Sequence, residues 1–456
     1  MPSAPPPPAP PGAGKRYWLQ TLGCPKNQVD SDKLVGTLLA DGLVEAHGPE
    51  DADLVVVNTC AFIGDARQES IDTILALDGA RKPGAELVVT GCMAERYGSE
   101  LADALPEVDA VAGFGVPVSL GRKPGGVEAA LPSFDLLNLP RPASAVPWAY
   151  VKVAEGCDRA CGFCAIPSFR GPQRSRSHES ILAEVEGLAG GGPGGLAVQE
   201  VVLVAQDLAA FGRDQGSGER SIVRLVGEVA ARVPRVRLLY LYPSDLTEGL
   251  VDGMLATGVP YFDLSLQHVS SPLLRRMRRW GDGERFLARI ADIRAREPEA
   301  AFRSNFIVGY PGETEDDHDQ LLRFVAEAEL DWCGFFPYSE EAGTHAAGLD
   351  GAVPGGLAAE RHAELAELQD AITARRRDDL VGRELDVLVD SPGVARGHRE
   401  APEIDGIVQV PDDLLPGTFH RVAVTGALGP DLDAVPVGDA VPVAGPTTVR
   451  ALVARG

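Results

Sequence analysis

The chain is 456 residues long, carries a formal charge of -24 at neutral pH and contains seven cysteines. That length exceeds what one core serves and implies two or three domains of roughly 100 to 200 residues each. The acidity excludes a surface built broadly for phosphate backbones, because such affinity rests on counterion release by Lys and Arg; with no apolar span or export signal, the odd cysteine count favours metal ligation or catalysis over disulfides, in a cytoplasmic protein.

Residues 1–14 form a Pro/Ala/Gly run that reads as a disordered tail. Residues 15–120 then repeat one device: an apolar run, a cysteine, a helical pattern. The runs Tyr17 to Gly23, Leu54 to Thr59 and Leu87 to Gly91 precede Cys24, Cys60 and Cys92. Aliphatic runs alternating with helices imply a parallel sheet covered on both faces, whose strand ends lie along one ligand-binding edge. The three cysteines are therefore expected to converge. A packing role for a single small thiol would be ordinary; three at the same place after their strands argue for a three-thiolate iron–sulfur site.

A Pro/Gly-rich linker, 121–147, leads to a second domain expected over 148–380. Six strands are predicted, at Tyr150 to Ala154, Glu200 to Ala205, Val236 to Leu241, Tyr261 to Leu266, Phe302 to Val308 and Asp331 to Phe336, with helical stretches such as Ser180 to Ala189 and Asp317 to Ala328 between them. This is a partial (β/α)6 barrel, a fold that places its chemistry where the strands end. There stand a cysteine loop, Glu155 to Cys164, then Gln206-Asp207, Tyr242-Pro243, Gln267-His268 and Gly309-Tyr310-Pro311-Gly312. Cys333 lacks any such setting and reads as core. The clusters Arg275-Arg276 with Arg278-Arg279, and Arg375-Arg376-Arg377, read as solvated helix faces.

Cys157, Cys161 and Cys164, separated by three and then two residues, can wrap one iron–sulfur cube and leave one iron without a protein ligand. A structural zinc loop would need a fourth Cys or His nearby, and the nearest, His178, is poorly spaced. Residues 381–456 change character again. Short β-rich pieces, Leu385 to Val389, Gly406 to Val410 and Val422 to Val424, alternate with Gly/Pro/Asp turns, as in a small antiparallel β-barrel. With six Arg, no Lys and eleven Asp or Glu, its field opposes phosphate.

The cysteine loop, with Phe163 before its third cysteine, resembles the radical S-adenosylmethionine (SAM) enzymes, in which the cofactor chelates the open iron and is split to a deoxyadenosyl radical. The whole arrangement is similar to the methylthiotransferases with their TRAM-like terminal barrel. The segments Thr21 through Ser31, Glu155 through Gly171, Val204-Ala205-Gln206-Asp207 and Ala401 through Gly406 resemble the RimO-type branch, which modifies a ribosomal protein. Leu208-Ala209 stand where that branch more often has threonines.

The resemblance implies a 4Fe–4S cluster on Cys157, Cys161 and Cys164 that cleaves SAM, and a second 4Fe–4S cluster on Cys24, Cys60 and Cys92 that carries the donated sulfur. The substrate implied is an aspartate β-carbon in the twelfth small-subunit protein, at the decoding centre; a reductant protein and a sulfur source are further partners, without membrane attachment or direct tRNA binding. Phe163, Gln206, Gly309, Pro311 and Gly312 are the expected surroundings of SAM, since a glycine-rich turn lets backbone approach an adenosine and a polar strand end can hold ribose or the amino-acid moiety. A tRNA adenosine methylthiotransferase and a non-catalytic iron–sulfur carrier or scaffold are the alternatives.

Overall fold

The structure, a computed structural model, describes residues 14–121, 126–127, 134–216, 218 and 220–438. The expected tail lies outside these residues apart from Gly14, as do parts of the expected linker and the terminal domain beyond residue 438. The chain forms two compact units: one runs to Pro142 and takes in Ala165–Pro172, the other comprises Ala143–Cys164 and the chain from Gln173 onward.

The first unit is a parallel sheet in the order Val44–Glu45, Arg16–Thr21, Leu54–Thr59, Glu86–Gly91, Ala110–Ala112, Gly126–Val127. Its strand Leu54–Thr59 is buried at every position, which explains an aliphatic run with no polar alternation. One face packs Val55, Val57, Leu87 and Val89 with Ile74 and Leu101; the other packs Leu54, Val56 and Val88 with Leu34, Leu38 and Leu136. Leu136 belongs to the expected linker, so its described part is folded onto this unit. There the Lys33 ammonium donates to the Leu139 carbonyl at 2.6 Å and Arg141 pairs with Asp32. The short strands Val44–Glu45, Ala110–Ala112 and Gly126–Val127 were not anticipated, since two or three residues carry no legible period.

The second unit contains six parallel strands in two triplets. Trp148–Lys152, Glu200–Val204 and Arg235–Leu238 form one; Tyr261–Gln267, Ala301–Val308 and Trp332–Pro337 form the other, with a bridge from Leu241 to Leu264 between them. These are the expected strands, with ends displaced by up to three residues. Val201, Leu203, Phe302 and Phe306 face outward into a core shared with Leu225, Val229, Leu321 and Val325 of the covering helices.

A closed five-stranded barrel follows, from Glu384–Ser391, Val394–Arg396, Val408–Gln409, Asp431–Pro436 and Phe419–Leu428. It is antiparallel as expected except that Val408–Gln409 and Asp431–Pro436 pair in parallel. The segment from Arg396 to Asp405 lies against the starting ends of the six strands. Tyr150 donates its hydroxyl to the Pro402 carbonyl at 2.7 Å, Tyr261 to Asp405 at 2.6 Å, and Trp332 its indole N–H to the Arg399 carbonyl at 2.6 Å. The wholly buried Glu200 accepts from Arg237 at 2.8 Å and pairs with Arg396 at 3.2 Å. Ala401 to Gly406, read from sequence as a branch signature, therefore closes the barrel floor opposite the expected site.

The basic clusters are solvated faces only in part: Arg275, Arg278 and Arg375 are exposed, whereas their neighbours are engaged. Arg377 is buried against Glu400 at 2.5 Å, Arg376 pairs with Asp331 at 2.8 Å, and Arg276 donates to the Pro311 carbonyl at 2.8 Å. No helix among the described residues is long and apolar enough to cross a membrane.

Candidate functional site

In the first unit each of the three cysteines follows its strand and stands at or before a helix start. Cys24 is the N-cap of Pro25–Ala40, Cys92 opens Cys92–Ala104, and Cys60 precedes Gly64–Ala80. Helix N-termini favour negative charge, so two of these positions suit thiolates. Close approach of the loops requires glycine. Gly23 has φ 93°, and a Cβ there would sit 2.9 Å from the Cys60 Cβ; Gly91 has φ 90°, and a Cβ would meet the Thr59 carbonyl oxygen at 2.6 Å.

Asn27, fully buried, ties the three loops together. Its side-chain amide donates to the carbonyls of Leu22 at 2.9 Å and Thr59 at 3.0 Å, and its oxygen lies 3.5 Å from the Cys92 sulfur. Burial pushes the Cys24 thiol up, but Lys26, Arg170 and the amides of Asn27 and Lys26 outweigh it and hold the thiol below its ordinary value. Burial raises Cys60 to about 12; the Phe62 amide opposes this, and the other two cysteines add to it. Burial likewise raises Cys92 against the pull of Arg170. Three mutually interacting thiols are a donor set for an anionic iron–sulfur group, whose binding displaces thiol protons. Among the described residues no three His, Cys, Asp or Glu are grouped to hold a single metal ion.

In the second unit the cysteine loop is pinned at Gly162. Its N–H donates to the Met277 carbonyl at 2.7 Å and its carbonyl accepts from Ala346 at 2.8 Å, while a Cβ on it would lie 2.7 Å from the Tyr310 hydroxyl. The sulfurs face donors: the Arg159 amide lies 3.4 Å from Cys157, and an Arg279 guanidinium nitrogen 3.4 Å from Cys161. Arg159 and Arg279 both stack on the Tyr242 ring, at 3.9 and 4.0 Å. Arg159 also pairs with Asp207 at 2.6 Å and with Asp245. Burial raises the Cys157 thiol to about 11, opposed by the Arg159 amide and reinforced by Asp207. Donors aimed at sulfur fit a cluster held there.

The other expected residues fall as follows. Phe163 is partly buried and packs against the barrel core. Gln206 donates to Glu155 at 2.7 Å, while its buried carbonyl oxygen has no partner among the described residues. Gly309 and Gly312 have φ 77° and 87°, but a Cβ on each would meet Ala358 at 2.8 Å and Arg276 at 2.7 Å. Their freedom is thus used in packing the chain on itself, and the turn sets Tyr310 beneath the cysteine loop. The Pro311 carbonyl accepts from Arg276. Cys333 is partly buried against the barrel core. Sequence reasoning put Arg159 and Tyr242 at the strand ends without a role and missed Asp245 and Arg279 as supports, because no local pattern marks residues that meet only after folding.

His268 is wholly buried, its Nδ1 accepting from the Ser270 N–H at 3.1 Å, and burial lowers its pKa to about 4. Its ring is expected to stay neutral above that pH, visible as flat imidazole NMR shifts across the neutral range; titration near the ordinary histidine value of about 6.5 would contradict the burial.

Residues 16–113 match the uncharacterized protein family UPF0004, residues 151–325 the Radical SAM superfamily and residues 381–437 the TRAM domain. The second match spans the cysteine loop and, in whole or part, the first five of the six strands, so the class is a radical SAM enzyme, and membership implies a 4Fe–4S cluster and SAM. The chain is 42% identical to the ribosomal protein uS12 methylthiotransferase RimO of Salinispora arenicola, over 94% of this chain and 97% of that protein. It is 43% identical to the protein of the same name from Moorella thermoacetica, over 90% and 96%. Among solved structures it is similar to the radical SAM methyltransferase TsrM from Kitasatospora setae, at 15% identity, a TM-score of 0.47, and coverage of 83% of this chain and 76% of that one. The chain belongs to the ribosomal protein uS12 methylthiotransferase RimO family and is a radical SAM methylthiotransferase.

Proposed function

We propose that this enzyme adds a methylthio group to the β-carbon of an aspartate in ribosomal protein uS12, using two 4Fe–4S clusters and SAM. The observation that carries the reading is the presence of two separate three-cysteine sets, each built into a folded site. Cys157, Cys161 and Cys164 would hold one cluster, and Cys24, Cys60 and Cys92 the other. When bound, the first group supplies the electron that cleaves SAM and the second presents the sulfur.

The chain's own residues position and shield these groups. Gly162, fixed by Met277 and Ala346, sets the cysteine loop, and Arg279 supplies positive charge beside Cys161. The unpartnered oxygen of Gln206 would accept a donor from SAM; Phe163 and the Gly309, Pro311 and Gly312 turn would shape its surroundings through Tyr310. Relatives named for uS12, a ribosomal protein, and the acidic balance of this chain together favour a basic protein substrate over tRNA. A reductant protein and a sulfur source complete the reaction, in the cytoplasm where ribosomes are made.

The test is anaerobic incubation of the reconstituted enzyme with reductant, SAM, sulfide and uS12. A mass gain of one methylthio group on an aspartyl peptide is expected; SAM cleavage without any such gain would overturn the substrate assignment. Gly23→Ala, which drives a methyl against Cys60, is expected to lose the iron of the Cys24, Cys60 and Cys92 site while retaining that of the loop, measured as iron per chain.

A further inference from the structure

We propose that Arg170 is the positioning residue of the Cys24, Cys60 and Cys92 centre, a fixed hydrogen-bond donor and counter-charge held against the Cys92 sulfur. The proposal rests on the reading of that centre as an iron–sulfur site. Arg170 is 3% exposed in its side chain, and one guanidinium nitrogen donates both to Asn27 Oδ1 at 2.8 Å and to Cys92 Sγ at 3.0 Å. The same Asn27 spans the loops before Cys24 and Cys60, so one donor reaches the strut and a ligand together. The guanidinium carbon lies over the Phe114 ring, 4.4 Å from its centre. A planar fork that stacks on one side and donates at its edge is what arginine offers and lysine does not.

Neutralisation of buried Asp30 is the simpler role for Arg170. That pair is at 3.4 Å, longer than the contacts to the strut and to sulfur. A counter-ion for Asp30 alone would need no donor on Cys92. The residue also comes from an unexpected place. Its helix, Ile166–Arg170, follows directly on the SAM-type cysteine loop in sequence yet belongs to the first unit. The segment that continues from one set of cysteines thus supplies the charge of the other. Hydrogen bonds to cluster sulfurs and nearby cations raise the reduction potential by favouring the more negative, reduced state.

The experiment uses the full chain with Cys157, Cys161 and Cys164 all changed to Ala, so that only the first-unit centre can be loaded. Iron content, the EPR-monitored midpoint potential and the rate of iron loss to a chelator are compared for Arg170, R170K and R170Q. R170Q is expected to lower the midpoint and to speed iron loss about 10- to 100-fold, the usual penalty for removing a ligand's supporting partner. R170K, which keeps the charge opposite Asp30 but not the fork, is expected to preserve most of the midpoint and still lose iron faster. Should R170Q not fold, R170K decides: an unchanged rate of iron loss overturns the proposal. A loaded parent indifferent to both substitutions overturns it alone, whereas a parent that binds no cluster overturns the second-cluster reading as well.

Discussion

Cys157→Ala is expected to abolish SAM cleavage and methylthio transfer together, whereas Cys60→Ala leaves SAM cleavage measurable and abolishes transfer. The difference follows from which set each thiol belongs to. Cys157 sits in the loop pinned at Gly162 and supported by Arg159 and Arg279, on the barrel that matches the Radical SAM superfamily. Cys60 lies in the other unit, packed beside Gly23 and interacting with Cys24 and Cys92. An unactivated C–H bond must be broken by a radical, and sulfur must be ready to meet the carbon; the two substitutions separate these demands. Deoxyadenosine formation and methylthio product are measured on each variant. Product formation by Cys60→Ala would refute the second cluster.

Glu200→Gln is expected to cost about 3 to 5 kcal/mol of stability, the range for breaking a buried ion pair by removing one partner. Glu200, Arg237 and Arg396 are each within 2% of complete burial, and loss of the carboxylate leaves two guanidinium groups without their shared anion. Burial tends to raise the Glu200 pKa, but Arg237, Arg396 and Arg235 outweigh it and bring the value to about 2 from an ordinary 4.5. A depressed carboxylate pKa stabilises the fold fully above the unfolded value of about 4.5, and the contribution is lost as pH falls toward about 2. Denaturant titrations of wild type and variant should therefore differ most near neutral pH and converge in acid. A gap that persists undiminished at low pH would contradict the electrostatic origin.

Strands such as Leu54–Thr59 and Glu200–Val204 were legible because burial on both faces writes them as near-continuous aliphatic runs, whereas the two- and three-residue strands of the first sheet were not. The placing of Cys24, Cys60 and Cys92 at strand ends was legible for the same reason: topology sends those ends to one edge. The supports were not. Arg279 reaches Cys161 across 118 residues of sequence, Arg170 reaches Cys92 across 78, and Arg396 reaches Glu200 across 196. Nothing local distinguishes these arginines from surface residues, and for that reason the solvated-face reading of the runs at 275–279 and 375–377 holds for Arg275, Arg278 and Arg375 but not for Arg279, Arg376 and Arg377. Gly309 and Gly312 show the converse limit, since sequence marks the need for glycine without saying whether ligand or protein fills the space.

The central claim is that the target is a ribosomal protein. Its most direct test is peptide mass spectrometry of uS12 from cells with and without this gene, with tRNA nucleosides analysed from the same cultures. The account predicts that deletion removes a methylthio group from one aspartyl peptide and leaves the nucleosides unchanged. Loss of a methylthio-adenosine with an unaltered uS12 peptide would contradict it.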